Sequence, residues 1–370
     1  MDFRLSESQH LLATTARDFL RKHCAPERLH ELAAHGQELW RAMAELGWTG
    51  LLVPDEFGGS DGSLLDVILL VEEMGRVCLP GPYVDSAVVA TSMLATAGSV
   101  DQRRRLLPAM ARGDRVCALA LLEENGEFTP EAVALRFDGG RLTGRKLFVR
   151  DADRADDFLV VARAADGLSP VLVESTRAGI AMAPMPSMAE ERIFEVVFSD
   201  VPAGPGDIVG PPGRGEDVLA PALRLGALAR SAEMVGCAQR ILELVVEHAK
   251  SRVQSGRPIG AFQAIQHACA DLLRGVESAR PLVYHAGWKA QQGLEGTADV
   301  AMAKSYAGEA CLAVARKAHQ IFGAISYCDE HPLHHFHKRI VAARLAFGDV
   351  SHHQEIVARA LGLATTRGDS

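Results

Sequence analysis

The run with the most chemistry in this chain is Ser251-Arg252-Val253-Gln254-Ser255-Gly256-Arg257-Pro258-Ile259-Gly260-Ala261-Phe262-Gln263-Ala264-Ile265-Gln266-His267. Its Gly and Pro residues predict a turn that ends one helix near Arg252 and opens another at Phe262 and Gln263. An arginine at such a corner presents a planar fork of donors that suits a phosphate oxygen. Gln263 adds an amide near the same corner. The same residues also describe a polar helix hairpin with its arginine in solvent. A second run, Ala318-His319-Gln320-Ile321-Phe322-Gly323-Ala324-Ile325-Ser326-Tyr327, halts a helix at small residues. There a backbone can approach a ligand closely, or Gly323 simply caps the helix. His331, His334, His335 and His337 raise the question of a metal, and residues 334 and 337 share a helix face. No cluster of acids or thiols accompanies them, so no metal site is expected.

These residues need a frame. Ser6 precedes apolar residues at helical spacing, Leu11, Leu12, Ala16 and Phe19. Further helices are expected over 38–46, from Ser63, over 86–97 and over 101–111. The pattern changes near Gly113. Strands are expected within 115–122, 133–137, 146–149, 158–162, 170–174 and 194–198, with a hairpin turn at Asp138-Gly139-Gly140-Arg141. This region reads as a small antiparallel β-domain. A Gly- and Pro-rich linker follows from Pro202 to Gly215. Long helices return over 218–252, 262–292, 298–322, 332–347 and 350–363. Pro281 is expected to kink or break the second of these. The fold class is therefore mostly α with a central β-domain: an N-terminal helical domain (1–113), a β-domain of barrel or sandwich type (114–210) and a C-terminal helical bundle (211–370).

Composition narrows the function. Of 370 residues, 48% are hydrophobic and 23% charged, which excludes disorder over most of the chain. Aromatics are only 5% and alanine is abundant, which favours helix. The net charge is −8 and no long basic run occurs, so nucleic acid is not an expected partner. No apolar stretch is long enough to span a membrane. The N-terminus has no apolar signal core. A cytoplasmic location is the resulting expectation. Seven scattered cysteines, with no C-x-x-C pair, read as reduced thiols.

Taken together, the two runs resemble the acyl-CoA dehydrogenase family, and the resemblance covers essentially the whole chain. The family's R-x-x-F-G and F-x-Q-x-x-Q-H motifs stand here as Arg252, Ser255, Gly256, Phe262, Gln263, Gln266 and His267. Its Q-x-x-G-G-x-G-[FY] motif stands as Gln320, Gly323, Ala324, Ser326 and Tyr327. The segment Asp329-Glu330-His331-Pro332-Leu333-His334-His335 with Lys338-Arg339 resembles a bacterial branch that acts on bulky, steroid-like acyl groups. The resemblance implies FAD as cofactor, contacted by Arg252 and Gln263. It implies that Gln320, Gly323 and Ala324 complete the dinucleotide site of a neighbouring subunit, hence an oligomer.

Several positions depart from the family pattern. Ser255 replaces the motif Phe, and Ala324 and Ser326 replace glycines. The T-E-P-x-x-G-S-D loop is absent near Leu121–Gly126, and Lys146–Ala152 replaces the W-I-T-N segment. The reaction needs a carboxylate to remove the α-proton while hydride leaves the β-carbon for the flavin. The two positions where the family carries that Glu hold Phe347 and Gly226. Glu233 and Asp349 are the nearby substitutes. Each also has a structural reading: Glu233 as a buried partner of Arg230 or Arg240, and Asp349 as an N-cap before Ser351 and His352.

The expected function is α,β-dehydrogenation of an acyl-CoA thioester by a flavin-dependent oxidoreductase. This chain is expected to be one subunit of a mixed tetramer, beside a homologous subunit carrying the catalytic Glu. A homotetramer with an unorthodox base is the rival assembly. A non-catalytic structural or acyl-CoA-binding protein on the same scaffold is the rival function. An electron-transfer acceptor is the expected redox partner.

Overall fold

The computed structural model describes residues 5–24, 36–189 and 191–363. Met1–Arg4, on which the reading of the N-terminus partly rests, lie outside them. In chain order come helices α1 (Glu7–His23), α2 (Gln37–Glu45) and α3 (Leu64–Gly75), a π-helical stretch (Tyr83–Ala90), α4 (Thr91–Ala97) and α5 (Val100–Ala111). Strands β1 (Cys117–Ala120), β2 (Arg136–Asp138), β3 (Arg141–Arg150), β4 (Asp157–Ala164), β5 (Gly167–Glu174), β6 (Ile180–Met185) and β7 (Ile193–Pro202) follow. Then come α6 (Gly215–Ser251), a two-residue hairpin of β8 (Val253–Gln254) and β9 (Arg257–Pro258), α7 (Gln263–Gln291), α8 (Thr297–Phe322), α9 (Leu333–Leu345) and α10 (Val350–Ala360). The chain divides into two compact units. One comprises Met1–Leu29, Leu64–Leu79 and Ala227–Ser370; the other comprises His30–Ser63 and Pro80–Gly226.

The first unit is helical. Ser6 caps α1 through a reciprocal box with Gln9, as its position before the apolar repeat predicts. Helices α3 and α6 press together backbone to backbone. A Cβ on Gly75 would lie 2.2 Å from the carbonyl oxygen of Glu233, and one on Gly236 would lie 1.9 Å from that of Glu72. Only glycine permits such an approach at both points. Helix α7 runs unbroken through Pro281, so the expected break does not occur. Proline costs one backbone bond, but Val276, Ala279 and Val283 on either side of it are all buried, and that packing holds the helix together.

The second unit centres on a seven-stranded sheet in the order β1-β4-β2-β3-β7-β6, with β5 also paired to β4. The expectation of an antiparallel sheet is corrected here, because the sheet is mixed. Strand β1 runs parallel to β4 from Cys117↔Asp157 to Ala120↔Val160, and β2 meets β4 in parallel at Arg136↔Arg163. These pairs are not joined by hairpins, and the intervening chain returns each strand in the same direction. The β2–β3 hairpin forms at the expected place. Asp138 pairs with Arg141, and Gly139 and Gly140 both take positive φ, as a twisted two-residue turn requires. Strand β6 was not expected, since Ile180-Ala181-Met182-Ala183-Pro184-Met185 lacks alternation. It forms an edge strand, where proline is tolerated. Phe158 and Phe198 meet edge to face, 6.1 Å between centroids, in the core beneath the sheet.

Candidate functional site

At the C-terminal end of α6 the chain turns sharply. Ser255 and Gly256 take positive φ between β8 and β9. The amide of Ile259 donates to the Arg252 carbonyl at 2.8 Å and closes the corner. The Arg257 guanidinium lies 4.2 Å from the centre of the Phe262 ring. Arg252 and Gln263 are both exposed. Among the described residues neither side chain makes a hydrogen bond or ion pair. Two polar groups are thus delivered to one corner with their donors free.

Helix α8 ends nearby. Gly323 takes φ +74, and a Cβ built on it would meet nothing within 4 Å. Gln320 is exposed and accepts from Lys317 Nζ at 2.9 Å; Ala324 is exposed as well. Ser326 differs. It is fully buried, donates to the Gly323 carbonyl at 2.7 Å and lies 2.8 Å from His319 Nδ1. Its one proton being used, the hydroxyl accepts from Nδ1–H, so His319 Nε2 accepts from His337 Nδ1 at 3.0 Å. Burial first, then neighbouring histidines, lowers His319 to about 4 and keeps it neutral. The side chain that replaces a motif glycine is therefore turned inward, and the exposed face of the turn keeps its room.

The two runs meet in the fold. The His248 ring, on the last turn of α6, lies 4.5 Å from Phe322, and Phe322 lies 4.4 Å from His331. The end of α6 that carries Arg252 and the end of α8 that carries Gln320, Gly323 and Ala324 are thereby joined. A free guanidinium, a free amide and an open backbone turn fit the diphosphate and flanking groups of a flavin dinucleotide. The other histidines follow: His331 in the turn, His334, His335 and His337 on α9. Among the described residues no group of three or more His, Cys, Asp or Glu is arranged to hold a metal ion.

The acid candidates are engaged elsewhere. Glu233 is buried, and each of its oxygens meets a guanidinium: Arg230 at 2.9 Å and Arg339 at 3.2 Å. Asp349 caps α10, accepting from the His352 amide at 2.8 Å. Phe347 is buried at φ +57, its carbonyl accepting from His353 Nε2 at 3.0 Å. Gly226 is buried within α6. Burial lowers His353 to about 4, with Lys304 reinforcing the shift.

In the second unit the segment near Leu121–Gly126 is built around a buried ion pair. Lys146, fully buried on β3, donates to Glu123 at 2.7 Å and to the Leu121 carbonyl at 3.0 Å. Glu123 also accepts from the amides of Ala134 and Leu135. Beside this pair lies an apolar pocket of about 150 Å³, lined chiefly by Leu121, Leu122, Val133, Leu168, Leu219 and Leu223. Sequence reasoning did not find the pair or the pocket. A lysine inside a strand was the available signal.

A helical unit, a unit built on one sheet and a corner that fits a dinucleotide suit a flavoprotein, and comparison with known proteins gives the family. The family descriptions "Acyl-CoA dehydrogenase, N-terminal domain" and "Acyl-CoA dehydrogenase, C-terminal domain" match residues 6–114 and 213–362. The benzylmalonyl-CoA dehydrogenase of Aromatoleum aromaticum is 31% identical over 91% of this chain and 93% of its own. The ChsE4-ChsE5 complex from Mycobacterium tuberculosis superposes with a TM-score of 0.90 at 27% identity, covering 99% of this chain and 100% of that one. The FAD complex of PigA gives 0.90 at 28%, covering 98% and 100%. The chain belongs to the acyl-CoA dehydrogenase family, whose members are FAD-dependent oxidoreductases that dehydrogenate acyl-CoA. The expected fold class and cofactor are thereby met. Among the described residues no helix is long and apolar enough to cross a membrane.

Proposed function

We propose that this chain is the flavin-holding, base-lacking subunit of a mixed acyl-CoA dehydrogenase tetramer. The observation that carries the reading is the convergence of Arg252, Gln263 and the Gly323 turn at one end of the bundle, with the Arg252 and Gln263 side chains unbonded among the described residues. FAD, when bound, supplies the acceptor for the hydride that leaves the β-carbon. Arg252 and Gln263 would hold its diphosphate region, and Gln320, Gly323 and Ala324 would complete the dinucleotide site of a neighbouring subunit. The apolar pocket beside Leu121 suits the apolar arm of a thioester. The α-proton goes to a Glu of a homologous partner subunit. Phe347 and Gly226 stand where this chain would carry that acid, Glu233 is neutralised by two arginines, and Asp349 is spent on a helix cap. The ChsE4-ChsE5 complex, which joins two differently named chains, supports a mixed assembly. In this reading segments 1–113, 114–210 and 211–370 act as three parts of a cytoplasmic enzyme. Its substrate is a bulky, steroid-like acyl-CoA, and a separate protein accepts its electrons.

The test is flavin content and turnover, alone and mixed. A general base contributes about 10²- to 10⁴-fold, so the purified homomer should turn over that much more slowly than its mixture with a Glu-bearing paralogue. The mixed tetramer should hold fewer flavins than subunits. A homotetramer with one flavin per chain and brisk turnover would overturn the proposal and return the base to Glu233 or Asp349.

A further inference from the structure

At the C-terminal end of α6 two basic side chains stand one helical turn apart. The Arg252 amide donates to the His248 carbonyl at 2.8 Å, so the helical winding runs on to the corner. Residues at that spacing share a face, about 5–6 Å apart at Cβ. The His248 ring is half-buried against Phe322, 4.5 Å between centroids, and Phe322 immediately precedes the open Gly323 turn. The imidazole thus links the helix face that carries the free guanidinium to the segment that carries the turn.

His248 differs from His319, His331, His334 and His337 in having both ring nitrogens uncommitted. Nδ1 of His331 accepts from the Leu333 amide at 3.2 Å, His334 Nε2 donates to the Asp329 carbonyl at 3.3 Å, and His319 and His337 are bonded to each other at 3.0 Å. The His248 side chain makes no hydrogen bond or ion pair among the described residues. Gaining a proton therefore breaks nothing there. A cationic ring keeps its place on Phe322, and a positive charge suits the last turn of a helix.

The surroundings hold that proton off. Burial first, then the charge of Arg252, keeps the His248 imidazole below the ordinary histidine range. Phe322 brings no charge from α8. His331, in the turn, is itself lowered by burial and then by His248 and His334. Glu247 and Lys250 on α6 are exposed, as are Asp329 and Glu330 ahead of His331. Among the described residues no carboxylate pairs with the His248 ring. This end of the bundle is short of negative charge. An anion on Arg252 cancels the repulsion that keeps His248 neutral and gives its ring a partner.

We propose that His248 is a binding residue for the diphosphate of the dinucleotide, taking up a proton as the anion settles on Arg252 and donating a hydrogen bond to it. This rests on the dinucleotide reading above. By linkage, a ring that holds its proton more firmly in the complex makes the complex tighter as pH falls. A diphosphate diester is fully ionised near neutrality, so a proton taken up there goes to the protein.

Calorimetric titration of the flavin-free, full-length protein with FAD, with its partner subunit where one is needed, tests it. Measured near pH 7 in two buffers of unequal ionisation enthalpy, binding should take up about half a proton per FAD. Affinity should be about three-fold or more higher at pH 6 than at pH 8. His248→Gln should lose most of the uptake and bind FAD at pH 6 no better than the parent does at pH 8. His248→Lys, charged throughout, should bind at pH 8 as tightly as the parent does at pH 6, without uptake. No uptake by the parent, or the same uptake and pH dependence in His248→Gln, overturns the assignment of His248 while sparing the dinucleotide reading. So does equal weakening in both variants at every pH, which would make the ring merely structural. FAD that binds at no pH overturns both.

Discussion

Helix α6 and the residue that follows it hold arginines in two opposite circumstances. Near its middle, Arg230 and Glu233 are buried, and Arg339 reaches across from α9 to the second carboxylate oxygen. At its end, Arg252 stands exposed with no protein partner among the described residues. The difference is one of completeness. A buried carboxylate with a guanidinium on each oxygen has nothing left to offer a substrate; it fastens helices. A free fork beside an open glycine turn contributes little to the fold and has donors to spend on a ligand. Charge alone therefore does not mark function in this molecule. The state of its partners does.

The largest effect that can break this comparison is on stability. Arg339→Met removes one guanidinium from Glu233 and also strips the carbonyls of Cys78 and Leu79 of a donor. Breaking a buried pair from one side costs about 3–5 kcal/mol. Urea unfolding should show a loss of that order, while the folded fraction keeps its flavin affinity. A variant as stable as the parent would mean that the cluster is not structural, and Glu233 would again be open as a base.

The next effect reverses the pattern. If Arg252 holds the diphosphate as proposed, Arg252→Ala removes a charge-assisted contact of about 1.5–3 kcal/mol, so FAD should dissociate ten-fold or more readily. Unfolding in urea without flavin should be unchanged, because no protein contact is lost. Fluorescence titration with FAD reads the first quantity and the urea curve the second. Unchanged flavin affinity in the assembled protein would remove Arg252 from the site.

How far the sequence could reach follows the same division. Local signals were legible: the Ser6 capping box, the Gly139-Gly140 hairpin, and a helix end at Gly323. Each depends on a few adjacent residues with specific backbone demands. The family resemblance was legible for the same reason, through short motifs at fixed spacing. What stayed hidden depended on partners distant in the chain. Nothing near Lys146 announces Glu123, 23 residues earlier, as its partner. Nothing near Glu233 announces Arg339, 106 residues later. The parallel pairing of β1 with β4 is likewise a matter of topology, which strand patterning does not encode. Pro281 reads as a helix breaker from local propensity alone, because the burial on both sides of it that holds the helix is not a local signal.

The smallest effect concerns Asp349, and it separates two roles that one carboxylate cannot easily combine. As observed, Oδ1 accepts from the His352 amide and caps α10, leaving the residue exposed. Removing such a cap costs about 1 kcal/mol, within a range of roughly 0.5–2. Asp349→Ala should therefore lose about that much stability. Asp349→Ser, which keeps an oxygen for the amide but no carboxylate, should recover most of it. Turnover by the mixed enzyme should be the same for both variants and the parent. If Asp349 were the base, the two variants would fall together in turnover by about 10²- to 10⁴-fold, however well serine restored the cap. Stability that tracks the cap while turnover stays flat leaves the acid with the proposed partner subunit. Turnover that tracks the carboxylate places it in this chain, at a residue whose hydrogen bond to His352 would have to open in every catalytic cycle.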